Sequence, residues 1–294
     1  MGSPDFATPV LRMLTEHYDV IGVATQPERR AGRGRRIVPP PVKTLALELG
    51  LAVMQPEKLG APEALAQLRE WNPDLIVVAA FGQILRQEVL DLPRCGCVNV
   101  HASLLPRWRG AAPIQAAILA GDAETGVTIM KMDAGVDTGQ ILSQRAIPIL
   151  PEDTGGSLFA KLSLLGAELL HETLRRYLSG ELQSQPQPAE GATYAPMLKK
   201  EDGQLDFSQP AAALERRVRA MNPWPGAWMT WQGKALKIHR AHAAPGNAEP
   251  GKRLVHRGLP AVASADGLLV FAELQPAGKK PMPGKAFLAG ARDW

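Results

Sequence analysis

Hydrophobic and polar positions along the first 180 residues alternate between two patterns. Short β-rich or continuously apolar runs fall at 19–25, 51–54, 75–80, 97–101 and 128–132, as in strands buried on both faces. Between them, apolar residues recur at helical spacing over 8–17, 41–49, 62–71, 112–120 and 157–178, and Gly50 and Gly121 stand where two of these helices would end. Strands alternating with helices predict an α/β fold: an open, mostly parallel, Rossmann-like sheet, with any ligand beyond the carboxyl ends of its strands. The stretch 179–190 is polar and punctuated by proline, and it reads as a connector. After it the period changes. One short helix at 211–221 is followed by alternating runs at 227–231, 235–241, 254–256, 261–263 and 268–274, which predict a small OB-like β-barrel. The expected organisation is an α/β domain over 1–180, a linker over 181–198 and a barrel domain over 199–294.

Composition narrows the class. A chain of 294 residues with 45% apolar side chains can bury two cores. Its longest clean apolar run, 75–81, falls well short of the roughly 20 residues that cross a bilayer. The opening residues have neither the basic nor the apolar region of a secretory signal, and Phe6 occupies the Ser/Thr position of a myristoylation motif. A cytoplasmic protein without a membrane partner is expected. Cys95 and Cys97 alone make neither a disulfide framework nor a zinc set, so free thiols and no metal are expected. Charge adds a hint of partner. From Lys200 onward there are 14 basic and 8 acidic residues, and residues 28–36 hold Arg29, Arg30, Arg33, Arg35 and Arg36 against a single glutamate, Glu28. An acidic body with an arginine-rich segment and a basic C-terminal part suits an anionic partner, although a solvated charged surface would look the same.

Candidate chemistry concentrates at 98–110. Along a strand Val98 and Val100 face one way while Asn99 and His101 face the other, so a neutral carboxamide donor and an imidazole share one face at a strand end. That pair could stabilise a developing oxyanion, or simply close the strand through hydrogen bonds. Asp137, among turn residues just past the next strand, could approach His101 and favour its charged form. On spacing alone, Asp133 and Asp137 read first as turn formers. Gly32-Arg33-Gly34 fits neither a Walker loop nor a dinucleotide fingerprint, so no nucleotide cofactor is assigned. Trp224, Trp228 and Trp231 near Arg216, Arg217 and Arg219 could stack on bases or pack a core.

The blocks Asn-Val-His-Ala-Ser-Leu-Leu-Pro-Arg-Trp-Arg-Gly-Ala-Ala-Pro-Ile-Gln from Asn99 to Gln115 and Met-Asp-Ala-Gly-Val-Asp-Thr-Gly from Met132 to Gly139 resemble the signature of enzymes that use 10-formyltetrahydrofolate. Further matches at 2–7, 31–36, 193–195, 222–227 and 274–280 make the chain similar, over nearly its whole length, to the methionyl-tRNA formyltransferase family. The resemblance implies transfer of formyl from 10-formyltetrahydrofolate to the α-amine of methionine on initiator methionyl-tRNA, for translation initiation. The amine would attack directly through a tetrahedral intermediate, with no metal.

By the same resemblance, Asn99, His101 and Asp137 correspond to the catalytic residues, and Ser103, Leu104, Leu105 and Pro106 to a folate-binding stretch. Arg29, Arg30, Arg33, Arg35 and Arg36 correspond to a tRNA-contacting insertion, and the barrel to a tRNA-binding domain. The partners implied are the charged initiator tRNA and the formyl donor, bound to a monomer. The family has a β-strand before the Gly-Ser-Pro-Asp-Phe turn with which this chain starts, so a gap in the sheet is expected. Formyl transfer to another amine, hydrolysis of the formyl donor and a non-catalytic RNA binder are the rivals. The arginine segment argues against the first two, and the presence of Asn99, His101 and Asp137 against the third.

Overall fold

The computed structural model of the chain describes residues 1–31, 36–291 and 293–294, with the side chains of Arg30, Ala31 and Arg36 left out of the description. The chain divides into two compact units. Unit 1 comprises Met1–Pro113, Thr125–Ile147 and Phe159–Ala195, and unit 2 comprises Ile114–Glu124, Pro148–Leu158 and Pro196–Trp294.

Unit 1 carries the strands β1 (Val23–Ala24), β2 (Arg29–Ala31), β3 (Arg36–Val38), β4 (Val53–Met54), β5 (Ile76–Val78), β6 (Cys97–His101), β7 (Arg109–Gly110), β8 (Glu124–Lys131), β9 (Ile141–Pro148) and β10 (Tyr194–Ala195). Its helices are α1 (Thr8–His17), α2 (Pro41–Glu48), α3 (Pro62–Trp71) and α4 (Gln87–Leu90); α5 (Pro113–Ala120) belongs mostly to unit 2, and α6 (Gly155–Leu178) spans both. The helices foreseen from periodicity at 8–17 and 62–71 form over those residues. Four of these helices, α1, α2, α3 and α5, have a proline in the first turn, where its missing N–H costs nothing.

The main sheet has the order β5-β6-β8-β9. β5 and β6 are parallel, but β8 runs antiparallel to β6, pairing Asn99 with Met130 and His101 with Thr128. The expected mostly parallel sheet is therefore a mixed one. After the loop and α5 the chain re-enters beside the end of β6, where Thr128 pairs with His101, and β8 runs back along it. α6 presses closely on β6. A Cβ at Gly166 would sit 2.8 Å from Val100 Cγ1, so the absence of a side chain there sets the approach.

Among the described residues β1 pairs only with β4, in a separate two-stranded sheet. Met1 and Gly2 bridge towards β5 and β1: Ala79 N–H donates to Met1 O (2.9 Å) and Gly2 N–H to Ala24 O (3.1 Å). Beside them lies a cleft of about 540 Å³ walled by residues such as Gly22, Trp71, Ile76 and Leu178, and none of Asn99, His101 or Asp137 lines it.

Unit 2 holds α7 (Ala211–Ala220), β11 (Ala227–Trp231), β12 (Lys234–Ala244), β13 (Arg253–His256), β14 (Leu259–Ala263), β15 (Leu268–Gln275), β16 (Met282–Pro283) and α8 (Gly284–Gly290). The strands form one antiparallel sheet in the order β11-β12-β15-β14-β13, with β16 on β15. Among the described residues β11 and β13 do not pair, so the expected barrel is an open sheet. Its core of Leu214, Leu236, Ile238, Val262, Leu269 and Phe271 is sealed instead by α7, α8 and the edge-to-face rings of Trp231, Phe287 and Trp294. Residues 114–124 and 148–158 are tied to this unit by polar bonds: Arg216 Nε–H donates to Leu119 O (3.2 Å) and Arg219 Nη1–H to Asp153 O (2.8 Å). Trp231 is thus a core residue, whereas Trp224 is half-exposed. Among the described residues no helix is long and apolar enough to cross a membrane, and both cysteines are free.

Candidate active site

β6 is buried along its whole length, between β5 and β8. The alternation of its side chains puts Asn99 and His101 on the face opposite Val100, and both are nearly covered, at 9% and 6% exposure. Asp137 reaches them from the loop after β8. Asn99 Nδ2–H donates to Asp137 Oδ1 over a long 3.4 Å, and His101 Nδ1 stands 3.6 Å from Asp137 Oδ2. The other ring nitrogen, Nε2, lies 2.9 Å from the Trp108 carbonyl. A carbonyl only accepts, so Nε2 carries the hydrogen and donates it. The structure therefore brings together the three residues singled out in the sequence, although they span 38 positions between Asn99 and Asp137.

Gly110, which the sequence offers only as one position of the Asn99–Gln115 block, completes the arrangement. Gly110 N–H donates to Asp137 Oδ2 at 2.8 Å, from a backbone with φ +107° that L side chains rarely adopt. A Cβ there would also meet the Ala195 carbonyl at 2.6 Å. Asp137 itself holds a left-handed φ of +52°, as does Trp108 at +61°. Such conformations in non-glycine residues cost about 1–3 kcal/mol and persist only where neighbours enforce them. The enforcing neighbours come from 185–195. β10 pairs in parallel with β7, Thr193 O accepts from Arg109 N–H (2.9 Å), and Thr193 Oγ1 accepts from Trp108 N–H (2.9 Å).

Ser103, Leu104, Leu105 and Pro106 form the turn that leaves β6, and its polar atoms are largely spent inside it. Ser103 is fully buried and its Oγ–H donates to Arg107 O at 2.6 Å. Thr128 Oγ1, also fully buried, donates to Ser103 O (2.6 Å) and accepts from Leu105 N–H (3.0 Å) and Gln144 Nε2–H (2.8 Å). What this stretch offers to a ligand is the half-buried Leu104 and Pro106, while Leu105 is buried. Of the arginines, Arg29 is exposed on β2 and donates to Gln26 Oε1 (3.2 Å). Arg30 and Arg36 lie in the antiparallel pair β2–β3, and Arg33 and Arg35 lie outside the described residues. Among the described residues no group of three or more His, Cys, Asp or Glu side chains could hold a metal ion.

Sequence reasoning gives no individual role to Gly110, Thr128, Gln144, Gln187 or Thr193, although Gly110 lies within the Asn99–Gln115 block and Thr193 within the 193–195 match. Each matters through a partner 16 to 85 positions away that only the fold supplies.

Comparison with known proteins identifies the family. The model of the formyl transferase family matches residues 2–174, and that of the formyl transferase C-terminal domain matches residues 197–292. The methionyl-tRNA formyltransferase of Myxococcus xanthus is 51% identical over 292 residues, which cover 99% of this chain and 93% of the relative. That of Geobacter metallireducens is also 51% identical, over 99% of this chain and 94% of its own. Among solved structures, the N-formyltransferase of Helicobacter canadensis in complex with folinic acid and dTDP-3-aminofucose superposes with a TM-score of 0.67 at 17% identity, covering 93% of this chain and 97% of that one, a likeness of fold. The chain belongs to the formyl transferase family and, within it, groups with the methionyl-tRNA formyltransferases.

Proposed function

We propose that this chain formylates the α-amine of methionine on initiator methionyl-tRNA, with Asn99, His101 and Asp137 as its catalytic group. The carrying observation is the convergence of a carboxamide and an imidazole on one carboxylate at the end of β6, with Asp137 3.4 Å from Asn99 and 3.6 Å from His101, in a chain of this family. 10-Formyltetrahydrofolate supplies the formyl carbon. The methionyl nitrogen adds to that carbon, and the carbonyl electron pair moves onto its oxygen. The nitrogen then loses a proton, the bond from carbon to the folate N10 breaks, and N10 takes up a proton. Asn99 has a second Nδ2 hydrogen beyond the one aimed at Asp137, and that hydrogen would meet the oxyanion. His101 would exchange its bond to the Trp108 carbonyl for the reacting groups and pass the proton between nitrogens, directly or through a water. Asp137 would balance the positive charge the ring acquires.

Residues 103–106 would border the folate, through Leu104 and Pro106 rather than through the Ser103 hydroxyl. Arg29, Arg30, Arg33, Arg35 and Arg36 would contact tRNA phosphates, together with basic side chains of unit 2. If all five arginines neutralise a phosphate each, log K for tRNA should fall with log salt with a slope of about −4 from this segment alone, and Arg33→Ala should weaken tRNA binding while leaving the folate site intact. We further propose a monomeric, cytoplasmic enzyme, to be checked by sedimentation and cell fractionation. The test of function is a radiolabelled formyl-transfer assay with charged initiator and elongator tRNAs. Label should enter the initiator. Label in neither, or in an amino-sugar nucleotide instead, would overturn the reading.

A further inference from the structure

Gln187 lies in the polar, proline-punctuated stretch that the sequence presents as a connector, yet every hydrogen-bonding valence of its side chain is used next to the catalytic group. Its two Nε2 hydrogens go to the carbonyls of Asp137 and Gly139, each at 2.8 Å. Its Oε1 accepts twice from the guanidinium of Arg109, from Nη2 at 2.6 Å and from Nε at 3.1 Å. A carboxamide can do no more than this. The bonds close a ring. Arg109 is joined by the peptide bond to Gly110, Gly110 N–H donates to the Asp137 carboxylate, and Gln187 ties the Asp137 main chain back to Arg109.

The ring acts where the backbone needs it. Asp137 holds φ +52°, a left-handed conformation that is uncommon outside glycine, although aspartate tolerates it better than most side chains, and one that neighbouring bonds can fix. Gln187 grips the carbonyl of Asp137 itself and that of Gly139 two residues on, while Gly110 grips the carboxylate. We infer that Gln187 is a positioning residue for formyl transfer: it holds Asp137 in register with His101 and Asn99 without touching the reacting atoms. Residue type matters here. Glutamate would keep the acceptors for Arg109 but lose both donors and set a negative charge against two carbonyl oxygens. Asparagine is one methylene too short to span the same partners.

This inference rests on the catalytic role proposed for Asp137, and the test separates the two. Asp137→Asn, Gln187→Leu, Gln187→Glu and the double variant Asp137→Asn/Gln187→Leu are assayed for formyl transfer, and thermal melts verify folding. Gln187→Leu should lower kcat by about 10- to 50-fold, with KM for formyl donor and tRNA within about threefold, because the loss lies in alignment and not in binding. Gln187→Glu should lose about as much, although it keeps the Arg109 contact. In the Asp137→Asn background, Gln187→Leu should cost less than about twofold, since what it positions is already gone. Losses that multiply in the double variant, or a Gln187→Glu enzyme at full rate, would overturn the role of Gln187. An Asp137→Asn enzyme at full rate would instead remove the reading on which it rests.

Discussion

Replacing Asp137 by asparagine keeps the shape of the side chain and removes its charge. Two losses follow from the geometry. At 3.6 Å from His101 Nδ1, a carboxylate facing a charged ring contributes about 4–5 kcal/mol at an effective dielectric constant of about 20. The Gly110 N–H bond, 2.8 Å long and charge-assisted in the wild type, becomes neutral and loses about 1 kcal/mol. Asparagine must also turn its amide nitrogen towards either Gly110 N–H or Asn99 Nδ2, so one donor faces another. Part of the electrostatic loss is recovered by relaxation and by solvent at a side chain that is 15% exposed. A net transition-state loss of about 3 kcal/mol is a conservative figure, and it corresponds to roughly a hundredfold fall in kcat/KM. The assay is single-turnover transfer of radiolabelled formyl to charged initiator tRNA, at saturating and at limiting formyl donor. A folded Asp137→Asn enzyme within about threefold of the wild-type rate would refute the reasoning, because no arrangement of these atoms leaves the charge idle.

Other expectations concern the parts that hold the site. Thr128→Val is isosteric but strips partners from Ser103 O, Leu105 N–H and Gln144 Nε2; it should cost about 2–4 kcal/mol of stability in urea unfolding and weaken binding of the formyl donor before that of tRNA. Phe271→Ala empties the centre of the unit 2 core, where Phe271 is fully buried against Trp294, and should destabilise that unit by about 3–5 kcal/mol by calorimetry. Burial raises the Cys97 thiol to about 12, so iodoacetamide at pH 8 should label Cys95 and spare Cys97, as read by peptide mass spectrometry. The same shift has a sign for stability. Above the ordinary thiol value of 9.0 the unfolded chain loses a proton that the folded chain keeps, so Cys97 lowers stability as pH climbs from there towards 12, and Cys97→Ala should flatten that alkaline slope.

Much of the fold was legible because its cause is local. Apolar spacing over 8–17 and 62–71 obeys the helical period whatever the rest of the chain does, and the alternation of 97–101 put Asn99 and His101 on one face before any coordinates. The pairing of β8 was not legible, because strand direction depends on where the chain re-enters the sheet and not on the composition of the strand. Nor was the open edge of the unit 2 sheet, since an alternating strand looks the same whether or not its neighbour closes a barrel.

Residue identity by itself therefore determined which side chains had the chemistry: a neutral donor, an imidazole and a carboxylate in blocks similar to a known family. Tertiary structure alone decided their relation. It set Asp137 against His101, turned the Ser103 hydroxyl inward, and recruited Gly110, Thr193 and Gln187 from segments that read as loop and connector. The physical reason is one of range. Periodicity and turn preference act over a few residues, whereas a hydrogen bond between positions 50 or 85 apart leaves no mark on the sequence between them.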